Sequence, residues 1–115
     1  MSQAESLVRL FKANIVQSNL EVYRKLFKET SRSDATDKYW QIALEFFHEL
    51  SPNQREVLFK IIKQTQIDTL AHILGIIDGT VLTEGETDLS LMTNNERVSG
   101  DLQDLFLSLF EEQSS

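Results

Sequence analysis

The chain reads as mainly α: one domain over residues 1–115, a bundle of four to five helices with a short β-hairpin at about 80–93. Three observations carry that expectation. Apolar residues recur at steps of three and four over most of the chain. One proline and four glycines are too few for a fold of many turns. Helix-starting and helix-ending residues stand at the edges of the periodic runs.

The first helix is predicted from about Gln3 to Gln17, with Ala4, Leu7, Val8, Phe11 and Ile15 on one face. Ser18 and Glu21 have capping-box spacing, which either restarts a helix or lies harmlessly inside a continuous one. Leu20, Val22, Tyr23, Leu26 and Phe27 then cover a broad face up to Lys28, and Thr30–Asp37 is a polar connector. The next helix, Thr36 to Leu50, is the most aromatic segment. Its Tyr39, Trp40, Phe46 and Phe47 place it at the centre of the core. Ser51-Pro52-Asn53-Gln54 is the clearest local signal: a Ser cap, Pro at the first helical position and Gln at the third. It predicts a tight αα-hairpin.

The helix that follows carries Val57, Leu58, Ile61 and Ile62, then Leu70, Ile73, Leu74 and Ile77, and stops at Gly79. Its polar, β-branched Gln64–Ile67 stretch is where a bend or break is expected. In Thr80–Asn95, Val81 and Leu82, then Leu89, Leu91 and Met92, flank a turn-like Thr83-Glu84-Gly85-Glu86, hence the hairpin. Ser99-Gly100-Asp101 opens a last helix with Leu102, Leu105, Phe106, Leu109 and Phe110 on one face. Leu107 falls off that face, where exposure is expected.

Composition limits the function. At 41% hydrophobic and 25% charged, the chain has the make-up of an ordinary globular domain. No apolar run approaches the ~20 residues of a membrane span. Glu5, Arg9 and Lys12 interrupt the N-terminal apolar pattern, which is unlike a signal peptide, and a cytoplasmic location is the expectation. The absence of cysteine removes disulfides, thiolate nucleophiles and thiolate metal sites together. Charge is unevenly placed. Residues 1–63 hold ten Lys/Arg against eight Asp/Glu, whereas residues 64–115 hold Arg97 alone against ten acids, for a net −7 overall. Such a C-terminal half repels phosphate and attracts cations or basic proteins.

Two short motifs invite other readings. Leu50-Ser51-Pro52 with Arg55-Glu56-Val57-Leu58 looks like the opening of response-regulator DNA-binding domains, and Gln66–Gly75 is similar to the first helix and turn of a helix-turn-helix. The residues after that turn contain Asp78, Glu84, Glu86 and Asp88 and no Lys or Arg, so no recognition helix could approach phosphate there. Nucleic acid is not an expected partner. Glu45-x-x-His48 has the spacing of carboxylate-bridged metal bundles, and Asp68 with His72 could share an ion. Such bundles need two Glu-x-x-His units, and only one exists. His48 and Glu49 as exposed residues at a helix end, and His72 bonded to Asp68 at the core edge, is the simpler expectation. No nucleophile elbow or phosphate-binding glycine loop is present.

Ile73-Leu74-Gly75-Ile76-Ile77-Asp78-Gly79, with Gly100-Asp101-Leu102-Gln103-Asp104-Leu105-Phe106, resembles a group of small uncharacterised bacterial proteins sharing an "LDG" helix end and a "GDLQDLF" final helix. The likeness spans mainly residues 70–110. It implies a bacterial cytosolic origin, some such small acidic proteins being suspected immunity partners of secreted toxins, and it assigns no functional residue. The leading expectation is a non-catalytic interaction domain with no cofactor. It would meet a basic protein partner through Asp78, Glu84, Glu86, Asp88, Asp101 and Asp104. A metal-dependent or small-molecule enzyme using Glu45, His48, Asp68 and His72 is the alternative, and a degenerate helix-turn-helix regulator the third.

Overall fold

A computed structural model describes residues 1–81 and 88–111. It is a mainly helical bundle with one short antiparallel hairpin. Helix α1 (Gln3–Phe11) starts on Ser2, whose hydroxyl accepts the Glu5 N–H at 3.0 Å. It continues through a π-helical stretch, Lys12–Gln17, into α2 (Ser18–Glu29) without interruption. Ser18 therefore lies inside a continuous helix. The inward residues explain the wide turn. Ala4, Val8 and Phe11 lie three or four apart, as do Val16, Leu20, Tyr23 and Phe27, but Phe11 and Val16 are five apart. One wide turn absorbs the extra residue and keeps both stripes on the same side.

After a 3₁₀ turn (Arg32–Asp34), α3 (Lys38–Glu49) begins on the Asp37 carboxylate, which accepts the Tyr39 N–H at 2.8 Å. The predicted αα-hairpin follows. Ser51 and Gln54 cap each other's backbone reciprocally, at 3.2 and 2.9 Å, to start α4 (Pro52–Asp78).

Helix α4 does not break at Gln64–Ile67. Thr65 and Thr69 satisfy their hydroxyls on the Ile61 and Thr65 carbonyls, both at 2.7 Å, and Ile67 is buried in the core. Local polarity is overridden because that turn must place Ile67 inward. At ~1.5 Å per residue the 27-residue helix is ~40 Å long, which accounts for most of the molecule's 49 Å extent.

The described residues form two cores. Val8, Val16, Ile67, Ala71, Leu74, Leu102 and Phe106 form the first, and Phe27, Leu44, Phe47 and Phe59 the second. Val8 joins Leu74 while Phe27 joins Phe59, so α1–α2 and α4 are antiparallel rods with one core at each end. Helix α3 closes the second core and α5 (Leu102–Glu111) the first.

Three expectations need correction. Helix α3 is not central: Leu44 and Phe47 are buried, but Tyr39 and Phe46 lie exposed, because α3 packs on one end of the rods and no described residue covers its outer side. Leu107 is half-buried against the first core, because α5 lies against both α1 and α4. The hairpin exists but sits later. Strand β1 (Met92–Thr93) pairs with β2 (Glu96–Arg97) in the register Met92–Arg97 and Thr93–Glu96. Asn94 and Asn95 form its two-residue turn with φ of 50° and 66°, the left-handed conformations such turns require and Asn tolerates. The turn expected at Thr83–Glu86 lies outside the described residues.

Candidate interaction site

Residues 73–79 and 100–106 meet in space. Gly79 ends α4 with φ of 83°. The Thr80 N–H then reaches back to the Gly75 carbonyl at 3.0 Å, and the Gly79 N–H to that of Ile76 at 3.2 Å, a Schellman closure. That closure aims the Asp78 carboxylate at the start of α5, where it accepts the Gly100 N–H at 2.6 Å and the Gln103 N–H at 2.8 Å. Asp78 thus caps a helix that begins more than twenty residues later and adds negative charge at its positive dipole end. Gly75 lies beneath this junction. A Cβ there would meet Val81 Cγ2 at 2.5 Å and the Gln103 amide nitrogen at 2.8 Å. Gly75 is therefore a position of close contact, and both it and Ala71 are buried.

Of the acidic residues expected to bind a partner, Asp78 is half-buried and engaged in this cap. Asp88, Asp101 and Asp104 are exposed, and Glu84 and Glu86 lie outside the described residues. Around the second core, residues 18–64 hold eight Lys/Arg against seven Asp/Glu, a net of +1. The described residues around the first core hold three basic groups (Arg9, Lys12, Arg97) against eight acidic ones, a net of −5. Glu84, Glu86 and Glu112, all outside the described residues, complete the −7 of the chain. The charge asymmetry along the sequence is thus a charge asymmetry between the two ends of an elongated molecule.

Basic residues at the near-neutral end have local duties. The Arg24 guanidinium lies 4.5 Å from the Phe59 ring centre and pairs with Glu56 at 3.3 Å. Arg55 stacks 4.6 Å from the Phe47 ring centre and donates to the Phe47 and His48 carbonyls at 3.2 Å each, closing the C-terminus of α3. At the acidic end, Lys12 likewise closes α5, donating to the Leu109 carbonyl at 3.4 Å.

The alternative metal set does not assemble. Glu45 pairs with Arg32 at 3.2 Å, and His48 is exposed with its ring against Phe47. Asp68 accepts from the Gln64 amide at 2.8 Å rather than from His72, a correction to the expected pair. His72 is exposed. Among the described residues, no group of three or more His, Asp and Glu is placed to hold an ion. The Gln66–Gly75 stretch, similar in sequence to a helix and turn, lies within one unbroken helix, so no turn presents a second helix there. No helix among the described residues is long and apolar enough to cross a membrane.

One surface is lined by aromatic residues expected in the core. Between α3 and α4 runs a groove of about 380 Å³ with Tyr39 and Phe46 on one side and Leu58 and Ile61 on the other. The signal for it lay in α3, whose apolar residues occur at 39, 40, 42, 43, 44, 46 and 47, too many for one helix face. A smaller pocket of about 220 Å³ beside Trp40 is bordered by Asp34 and Asp37. Asp34 accepts the Ser31 hydroxyl and Asp37 caps α3, so each is already engaged locally.

No protein-family model matches the chain, and neither does any curated protein or solved structure. Its class is that of a mainly helical bundle with a small hairpin.

Proposed function

We propose that this protein is a non-catalytic, cytoplasmic interaction domain that binds a basic protein through the acidic end of its bundle, as an immunity-type inhibitor would mask a basic toxin. The observation that carries this reading is the charge segregation: −5 among the described residues around the first core, against +1 around the second. Exposed Asp101, immediately before α5, and Asp104, in its opening turn, supply carboxylates to the contact together with exposed Asp88. Such a surface steers a cationic partner during approach and loses strength as salt rises.

The test is a binding assay against the products of neighbouring genes, comparing the native chain with the triple variant Asp88→Asn, Asp101→Asn, Asp104→Asn. A basic partner should bind the native chain at least tenfold more weakly at about 500 mM salt than at about 50 mM, and the triple variant should bind more weakly at low salt. Affinity indifferent to both changes would refute the acidic-end mechanism.

A further inference from the structure

We propose that the apolar groove between α3 and α4 is a self-association surface, on which a second copy of this chain docks by a two-fold contact, leaving the two acidic ends pointing away from each other. Five side chains carry the surface: Tyr39 (66% exposed), Ile42 (62%), Phe46 (54%), Val57 (53%) and Ile61 (57%). Tyr39, Ile42 and Phe46 recur at steps of three and four along α3, and Val57 and Ile61 lie one turn apart on α4, so each set forms a stripe. Tyr39, Phe46 and Ile61 line the same groove.

Two arguments select a second copy as the occupant. The first is area. These five residues expose on the order of 500 Å² of mostly apolar surface, at the upper end of what a monomer leaves uncovered. A stable interface needs ~800 Å² from each partner, so in a two-fold contact the stripes supply more than half of each side. The second is charge. The end bearing the groove is near neutral, with eight basic against seven acidic residues over 18–64. Two copies meet there without mutual repulsion, whereas contact through the acidic ends would bring like charges together.

The experiment is analytical ultracentrifugation of the full chain over a concentration series reaching about 200 μM, with circular dichroism to establish folding. The native chain should sediment as a species of about 26 kDa, twice its 13.2 kDa mass. Phe46→Glu and Ile61→Lys, at exposed positions on different helices, should each weaken the dimer at least tenfold while keeping helical content. Leu10→Glu, exposed at the opposite end, should leave it intact. If Phe46→Glu alone disturbs folding, Ile61→Lys and Tyr39→Ser decide the outcome. A native chain that stays monomeric throughout overturns the proposal, as does a dimer that survives the folded groove variants or is broken by Leu10→Glu. Raising salt should leave the dimer unchanged or tighter, and dissociation by salt would also overturn it. That response is opposite to the one expected of the acidic-end contact, so the two proposals fail separately.

Discussion

Asp78 shows how one side chain can look like a ligand-binding acid and serve the fold instead. Its two accepted N–H bonds, at 2.6 and 2.8 Å, are charge-assisted and half-buried, the combination in which a cap contributes most. Asp78→Ala should lower stability by ~1–2 kcal/mol, the usual loss for a helix cap, with urea denaturation as the measure. An unchanged midpoint would mean that water replaces the carboxylate without cost. Gly75 is the other residue on which the junction turns. In a helix Ala is ordinarily favoured over Gly by ~1 kcal/mol. Here the added methyl would lie 2.5 Å from a Val81 methyl, and overpacking typically costs ~1–3 kcal/mol. Gly75→Ala should therefore be net destabilising. A stabilised variant would show that Val81 and Gln103 move aside freely.

Helix α3 and the start of α4 depend on each other through Arg55, which sits in the first turn of α4 and bonds the last carbonyls of α3. The same guanidinium covers the Phe47 ring, so one side chain fixes the angle of the hairpin and shields its core. Arg55→Ala should destabilise by ~1–2 kcal/mol, and Arg55→Lys should recover only part of that, since an ammonium cannot bond two carbonyls and lie flat on a ring at once. Thermal unfolding of the two variants measures the difference, and full recovery by Lys would reduce the contribution to charge alone. The Ser51-Pro52-Gln54 start was legible because every group involved lies within four residues. The π-helical turn was harder to see: its trace is the five-residue step from Phe11 to Val16, recognisable only once the buried side is known.

For the whole molecule, the decisive feature is that α4 passes through both cores. Trp40, the one tryptophan, packs against the second core, while Gly75 belongs to the junction beside the first. If the long helix couples the two, Gly75→Ala should shift the Trp40 fluorescence transition and the circular dichroism transition to the same new midpoint. A fluorescence midpoint that stays in place while ellipticity shifts would mean the ends unfold separately. End-to-end charge segregation follows from the same architecture. The antiparallel rods gather residues 18–64 at one end and bring the N-terminal segment against the acidic C-terminal one at the other. Arg9 and Lys12 dilute the acidic end, yet its sign persists.

Helix positions, the tight turn at Ser51-Pro52, the Gly79 stop and the acidic sign of the C-terminal segment are all legible in the order of residues, because each rests on neighbours a few positions apart. Long-range pairing settled the rest. Helix α4 stays unbroken through a stretch whose composition argued for a break, and the buried Ile67 lies within it. Asp78 became a cap only because α5 starts beside it. Tyr39, Ile42 and Phe46 were left on the outside because one helix face can be covered by α2 and α4 while the other finds nothing to pack on among the described residues. Periodicity ranks the faces of a helix by apolarity, but whether a second apolar face is covered depends on how many other elements the chain can bring to it.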